Sequence, residues 1–560
     1  MNPSELLTLH QITLHEKAKA VNARFLLAYL FLVFNAAAPC FADVAPRPNI
    51  LLILADDLGY SDLGCFGGEI ETPNLDSLAS NGVRLTHFYT TGRCCPSRAA
   101  LLTGHYPHRV GLGHMAGNDL RQPGYRGRVD DGAMTLAETL SNGGYRTFMA
   151  GKWHLGTADP TKHGFEEFYG TLVSAKRFFD PDHLIRLPEK RKPRRYSNDS
   201  YYATDAITDH ALDFLEATRD TPDKPFFLYL AYNAPHFPLQ APQDLINKYA
   251  QRYSEGWDNL RAERLQRMKE MRIVPYDTNL SARSRWTNYG ETKSGTNPAW
   301  NTLPMSRQKD LARRMAIYAA MVDRMDQQIG RVLRSLKDHH EFKNTLFIFT
   351  SDNGACFEWD PYGFDVKSSN QNILHEGQYL EQMGSRDTFH SLGSGWANAC
   401  NTPWRLSKHF NHEGGIASPA IIHWPSQTTI TPGSFHTTPA HLIDIYPTVL
   451  SVTQSQYQGN QQLPGINIFR TFNSNHPERM LFFEHQGNRA IRDGKWKLVA
   501  LDDGPWELYD LHTDRTESSN LAAEYPEKID DLNAKWEKWA SENHVTPLPR
   551  DLKVNYLKPD

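Results

Sequence analysis

From Pro48 onward, short apolar runs alternate with stretches of helical periodicity. Ile50–Ala55, Arg146–Ala150, Pro225–Ala231 and Thr345–Thr350 are mostly apolar rather than alternating, the pattern of strands buried on both faces of a parallel sheet. Between them Asn74–Ser80, Leu136–Leu140, Ala203–Ala217 and Asp310–Leu336 read as helices. Thr72-Pro73 reads as a cap followed by proline at the first helical position. The alternation predicts an α/β domain with a large mixed, mostly parallel sheet sandwiched by helices.

Two stretches break the rhythm. The polar, aromatic-rich segment 252–306 reads as an insertion, and 357–400 is irregular after the Thr345 strand. Long loops at the carboxyl ends of sheet strands are where such folds place ligands, so both are candidate cleft walls. After about Ser455 the pattern changes again. Met480–Glu484, Arg489–Arg492, Lys495–Ala500 and Trp506–Tyr509 are short and closely spaced, with Asp493-Gly494 as a hairpin turn, and a charged amphipathic helix follows over Pro526–Ser541. These predict a smaller C-terminal domain of antiparallel sheet plus helix. The expected organisation is a signal peptide over 1–42, a catalytic domain over 47–455 and a C-terminal subdomain over 456–560.

The signal reading rests on Lys17, Lys19 and Arg24 before the apolar run Phe25–Phe34, with small residues up to Ala42. The run is well short of the ~20 residues of a spanning helix, which favours an exported, periplasmic or secreted protein over one with a stable membrane anchor. A net charge of −4 without a basic stripe argues against a nucleic-acid partner. Loss of the signal would leave Cys65, Cys94, Cys95, Cys356 and Cys400, an odd number. The adjacent pair Cys94-Cys95 cannot bridge without strain, so one of these cysteines is expected to have another use.

Candidate chemistry clusters at strand ends. The first strand ends in Asp56-Asp57 and the Thr345 strand in Ser351-Asp352-Asn353-Gly354. Each acidic pair alone also suits a helix cap. Two such pairs at two strand ends point instead to a hard cation held by oxygen ligands, calcium before magnesium because so many protein ligands suit its coordination number, and give little reason for zinc.

Between them lies Thr91-Gly92-Arg93-Cys94-Cys95-Pro96-Ser97-Arg98, continuing to Leu102-Thr103-Gly104. This segment resembles the signature of type I sulfatases, Cys-x-Pro-Ser-Arg followed by Leu-Thr-Gly. Only Cys94 has proline two and arginine four residues later. The resemblance extends through Gly151-Lys152-Trp153-His154, Ala234-Pro235-His236, Ser351–Gly354 and Lys408–Gly415, and is most similar to bacterial arylsulfatases. It implies an alkaline phosphatase superfamily fold and hydrolysis of a small-molecule or oligosaccharide sulfate ester. It further implies formylglycine made from Cys94 by a formylglycine-generating enzyme, and one calcium ion on Asp56, Asp57, Asp352, Asn353 and residue 94. On the same basis Asp352 accepts a proton from the attacking hydroxyl, and Arg98 and Lys152 hold the hydrated residue. His154, on the same side as Lys152 if the segment is extended, takes the second proton, while His236 and Lys408 assist the leaving oxygen. His441 is expected to be structural. The rival expectations are a phosphonate or phosphodiester hydrolase on the same fold and a glycan-binding protein without turnover.

Overall fold

Alternate residues of the first strand enter two different cores. In β1 (Asn49–Ala55), Leu51 and Ile53 pack into one and Ile50, Leu52 and Leu54 into the other, as the two-residue period of a strand requires when both faces are covered. The computed structural model describes residues 47–173, 177–197, 200–287, 294–366, 371–472 and 478–548; the expected signal peptide over 1–42 lies outside them.

In chain order the further strands are β2 (Val83–Tyr89), β3 (Arg146–Lys152), β4 (Glu167–Thr171), β5 (Ile185–Leu187), β6 (Phe226–Ala231), the small antiparallel pair β7 (Arg285–Thr287) and β8 (Ser294–Thr296), β9 (Thr345–Ser351), β10 (Ala417–His423), β11 (Ser434–His436) and β12 (Ala440–His441). The large sheet runs in the order β11-β2-β10-β9-β1-β6-β3-β4-β5, with β12 also on β2. Its centre, β9-β1-β6-β3-β4, is parallel. β10 is antiparallel to both neighbours and β5 to β4, which makes the sheet mixed. Helices cover both faces. The long helix Met305–Asp338 lies in one core, and Cys94–Thr103, Leu136–Asn142 and Ile445–Thr453 lie in the other.

Strands β2 and β10 do not read as continuous buried runs. Residues Arg84 and His87 of β2 are half-buried, and β10 carries Pro419 at the point where its pairing with β2 shifts register between Ser418 and Ala420. A proline is tolerated there because a bulge needs no ladder donor. Helix Pro73–Asn81 has its expected proline at the first position, but Thr72 makes no side-chain cap. The Asp326 carboxylate of the long helix accepts from Asn74 N at 3.0 Å and Leu75 N at 2.8 Å instead, satisfying the orphan donors from across the core.

The stretch 252–306 contains helix Gly256–Glu270, which buries Trp257, Arg264 and Met268. Arg264 pairs with Asp62 at 2.7 Å and Glu69 at 2.8 Å with no side-chain exposure. The C-terminal sheet is an antiparallel meander of β13 (Met480–His485), β14 (Asn488–Asp493), β15 (Trp496–Ala500) and β16 (Glu507–Asp510). Helix Pro526–Glu542 packs on it through Leu532, Trp536 and Trp539, with the Trp539 ring stacked on Phe482 at 5.1 Å.

This small sheet is tied by buried charge to the segment before β10. Lys497 Nζ lies 2.9 Å from Glu413 Oε1 and 2.7 Å from Glu517 Oε1, and Arg515 Nε donates to Glu413 Oε2 at 2.7 Å. Burial alone would raise the Glu413 carboxyl, but Lys497 and Arg515 outweigh it and hold it at about 2. Removing one partner would strand a buried charge, so the C-terminal sheet braces the loop that carries Lys408.

Candidate active site

Four neighbouring strands, β9, β1, β6 and β3, end on one edge of the sheet, and the residues just beyond them are polar and buried. The β1–β9 register pairs Ala55 with Ser351, which sets Asp56 beside Asp352. Asp352 N donates to Ala55 O at 3.2 Å, and Asp57 N approaches Asp352 Oδ1 at 3.3 Å. Beyond β9 the turn passes hard against another backbone segment: a side chain at Gly354 would meet Gly414 O at 1.9 Å. The sequence Ser-Asp-Asn-Gly therefore suits both the carboxylate and the close crossing that brings the Lys408 segment in.

β2 delivers the fifth element. After it, Ser97 Oγ accepts from Thr91 N at 3.1 Å and closes the turn into helix Cys94–Thr103, which Gly104 ends in the left-handed conformation at φ 70°. Cys94 is the first residue of that helix and is buried, where the amide donors of the first turn favour negative charge. Arg98, one turn later, reaches across the sheet edge. Its Nε and Nη2 donate to Asp352 Oδ2 at 3.0 and 2.8 Å, and Nη1 donates to Lys152 O at 2.6 Å.

Lys152 Nζ, at the end of β3, donates to Asp56 Oδ2 at 2.7 Å. His154 does not continue the strand: its backbone turns left-handed at φ 56°, so the condition of an extended segment, under which it would share a side with Lys152, is not met. The turn instead puts His154 Nδ1 3.5 Å from Cys94 Sγ. Lys408 Nζ donates to Asp57 Oδ2 at 2.8 Å, and His236 Nε2 lies 3.5 Å from the same oxygen while its Nδ1 donates to Phe237 O at 2.6 Å. Asn353 Nδ2 donates to Asp57 Oδ1 at 2.7 Å. Every residue singled out from the sequence, Cys94, Arg98, Lys152, His154, His236, Lys408, Asp56, Asp57, Asp352 and Asn353, thus lies in one buried cluster. His441 stands apart and caps a short 3-10 turn.

Electrostatics sort these groups. Burial would raise Asp56, yet Lys152, His236 and Arg98 bring it to about 2. Burial and the Asp56 charge push Asp352 well above the usual carboxylate range in spite of Arg98. The Cys94 thiol is held well below its ordinary value by a hydrogen bond from Cys95, with Lys152 and His154 acting against burial. Burial lowers His154 to about 4, so its imidazole is neutral at ordinary pH.

The donor set fits a hard cation. Asp56 Oδ1 and Asn353 Oδ1 are buried oxygens without a hydrogen-bond partner, and unsatisfied acceptors of this kind suit an ion that takes oxygen ligands. Spacing alone groups Asp56 and Asp57 with His236, a nitrogen donor outside the expected oxygen set, while Asp352 is engaged by the Arg98 fork. Sequence reasoning missed a second layer around Cys94: Glu358 Oε1 lies 3.4 Å from Arg93 Nη1 and 2.9 Å from His409 Nε2. Arg93 and His409 adjoin Cys94 and Lys408 in the chain, but Glu358 sits in the irregular 357–400 stretch with no periodicity to mark it.

The sulfatase family model matches residues 48–455. An uncharacterised sulfatase of Schizosaccharomyces pombe is 36% identical over 92% of this chain and 97% of its own. The arylsulfatase of Klebsiella aerogenes is 33% identical over 72% of this chain and 86% of its own. Among solved structures, that of Ps i-CgsB, also determined with k-i-k-neocarrahexaose, superposes with a TM-score of 0.62 at 26% identity over 90% of this chain and 94% of its own. The chain belongs to the sulfatase family and is a sulfuric ester hydrolase. Among the described residues no helix is long and apolar enough to cross a membrane.

Proposed function

We propose that the chain hydrolyses sulfate monoesters of aryl or carbohydrate alcohols to the alcohol and inorganic sulfate, using formylglycine made from Cys94 by a formylglycine-generating enzyme and one calcium ion, in a periplasmic or secreted protein. The observation that carries this reading is the meeting of Cys94 with three acids, three cations and two histidines at one sheet edge, two acceptor oxygens there lacking a hydrogen-bond partner. The carbohydrate side draws on the neocarrahexaose bound by the Ps i-CgsB relative.

Hydrated formylglycine supplies one hydroxyl to attack sulfur and a second whose proton is removed when sulfate is released and the aldehyde returns. Asp56, Asp57, Asp352, Asn353 and residue 94 would hold the calcium ion, which would supply a Lewis acid for a sulfate oxygen. The chain's own groups do the rest. Arg98 fixes Asp352 with its fork on Oδ2, and Asp352 takes the proton of the attacking hydroxyl. Lys152 and Arg98 hold residue 94 and offset anionic charge. His154, neutral and 3.5 Å from Sγ of residue 94, takes the second proton. His236 and Lys408, side by side over Asp57, stabilise and protonate the leaving oxygen as its bond to sulfur breaks.

The test is a panel of matched sulfate monoesters, phosphate diesters and phosphonates. Sulfate esters are expected to be turned over best, and faster hydrolysis of the phosphorus esters would overturn the reading. Within the panel, His236→Ala should cost about 10²–10³-fold on sulfates of poorly acidic sugar alcohols, but far less on nitrophenyl sulfate, whose leaving group needs no proton. Equal losses on both would remove His236 from that role.

A further inference from the structure

Away from the sulfate-ester site, between the long helix Met305–Asp338 and the 357–400 segment, two histidines each sit on a carboxylate. His375 Nδ1 is 2.9 Å from Asp310 Oδ1, and His390 Nδ1 is 2.6 Å from Asp365 Oδ1. The two rings meet edge to face at 4.9 Å. Arg314 ties the carboxylates together, with Nε on Asp310 Oδ2 at 3.2 Å and Nη2 on Asp365 Oδ1 at 2.7 Å. Asp365, His375 and His390 can each offer one atom within 4.8 Å of the other two.

A histidine whose Nδ1 is held by a carboxylate has its tautomer and orientation set, leaving Nε2 as a lone-pair donor, and it is this carboxylate contact that orients metal-ligating imidazoles. His390 is only 3% exposed and its Nε2 has no hydrogen-bond partner, although buried imidazole nitrogens ordinarily find one. His375, with a side chain 14% exposed, gives access from solvent.

The charges select the kind of ion. Asp310 and Asp365 are opposed by Arg314 and, towards the surface, by Arg307, whose Nη1 is 3.1 Å from Asp310 Oδ2. Little net negative charge remains to hold a hard cation, so binding must come from the imidazole nitrogens, which favour zinc-class ions over calcium or magnesium.

We propose that His375 and His390, oriented through their Nδ1 atoms by Asp310 and Asp365 with Arg314 between the two carboxylates, form with their Nε2 atoms a second metal site for a zinc-class divalent ion. The site braces the active-site wall. Leu239 N donates to His390 O at 2.8 Å, and Phe364, the neighbour of Asp365, packs its ring 5.0 Å from that of Phe237, next to His236. The ion closes the 357–400 segment on itself behind His236, and Asp310 and Arg314 hold that segment to the long helix.

The full chain, saturated with calcium and dialysed against micromolar free zinc, is expected to hold one zinc per chain by elemental analysis. Cobalt in its place should give the visible absorption of a nitrogen-ligated ion. His375→Ala, at the half-buried position, and His390→Gln should each lose the zinc while keeping bound calcium, and Asp310→Asn should weaken zinc about 10–100-fold. Cys95→Ala, which alters the sulfur-containing group Cys94, Cys95 and His154, should leave zinc unchanged. No zinc retained by the wild-type chain, or zinc lost with Cys95→Ala but kept in His375→Ala, overturns the proposal. Neither result bears on sulfate-ester turnover.

Discussion

Cys94→Ala is expected to abolish sulfate-ester turnover, a fall on the order of 10⁵-fold or more, since loss of a covalent nucleophile removes the whole pathway and not one contact. The physical reason lies in sulfate release. A thiolate at position 94 could attack sulfur, and the site favours one, because Cys95, Lys152 and His154 all lower the Cys94 thiol. The resulting thiosulfate-type adduct would have no second hydroxyl from which to expel sulfate, so turnover would stop after one event. Active protein should therefore carry a peptide spanning Cys94 about 18 Da lighter than the cysteine form, whereas ordinary oxygen-adding oxidations of cysteine raise the mass. Cys95→Ala should keep that mass change at position 94, because only Cys94 stands two residues before Pro96 and four before Arg98. Fully active enzyme with an intact thiol at Cys94 would refute the mechanism.

The site was legible in the sequence to the extent that chemistry followed strand ends. Ile50–Ala55 and Thr345–Thr350 read as buried strands from apolar content alone, and the acids after them needed only the parallel register of β1 on β9 to meet. Cys94 was marked by its spacing to Pro96 and Arg98, which the turn at Ser97 and the helix behind it explain. Other contacts rest on geometry that no local pattern encodes. His154 reaches Cys94 through a left-handed turn, not an extended segment. Asp326 caps a helix some 250 positions away in the chain. Glu358 acquires its partners Arg93 and His409 only after folding. In the same way β10, with a proline at its bulge, has too little strand character to be read locally and is held in place by β2 and β9. Fold class follows from composition and period; close contacts between distant loops follow from the packing those loops adopt.

Chelation is expected to abolish activity and calcium to restore it, with Asp57→Ala losing both bound calcium and turnover. Asp57 is the most heavily shared acid of the cluster. Its carboxylate accepts from Lys408 and Asn353 and faces His236, so its loss removes a proposed ligand and releases two groups proposed to act on the leaving oxygen. With Asp352 ionised, as a ligand to a cation must be, Asp56, Asp57 and Asp352 balance Arg98, Lys152 and Lys408, so the protein groups alone give the site little surplus positive charge for an anionic ester. A bound dication would supply that surplus, and loss of such a Lewis acid, worth several kcal/mol, corresponds to a fall on the order of 10³-fold or more. The two proposed metals can be told apart by what each variant releases. Asp57→Ala should shed calcium and keep zinc at His375 and His390, whereas His375→Ala should do the reverse. Elemental analysis showing that Asp57→Ala releases zinc and leaves calcium in place would refute calcium as the ion of the catalytic edge.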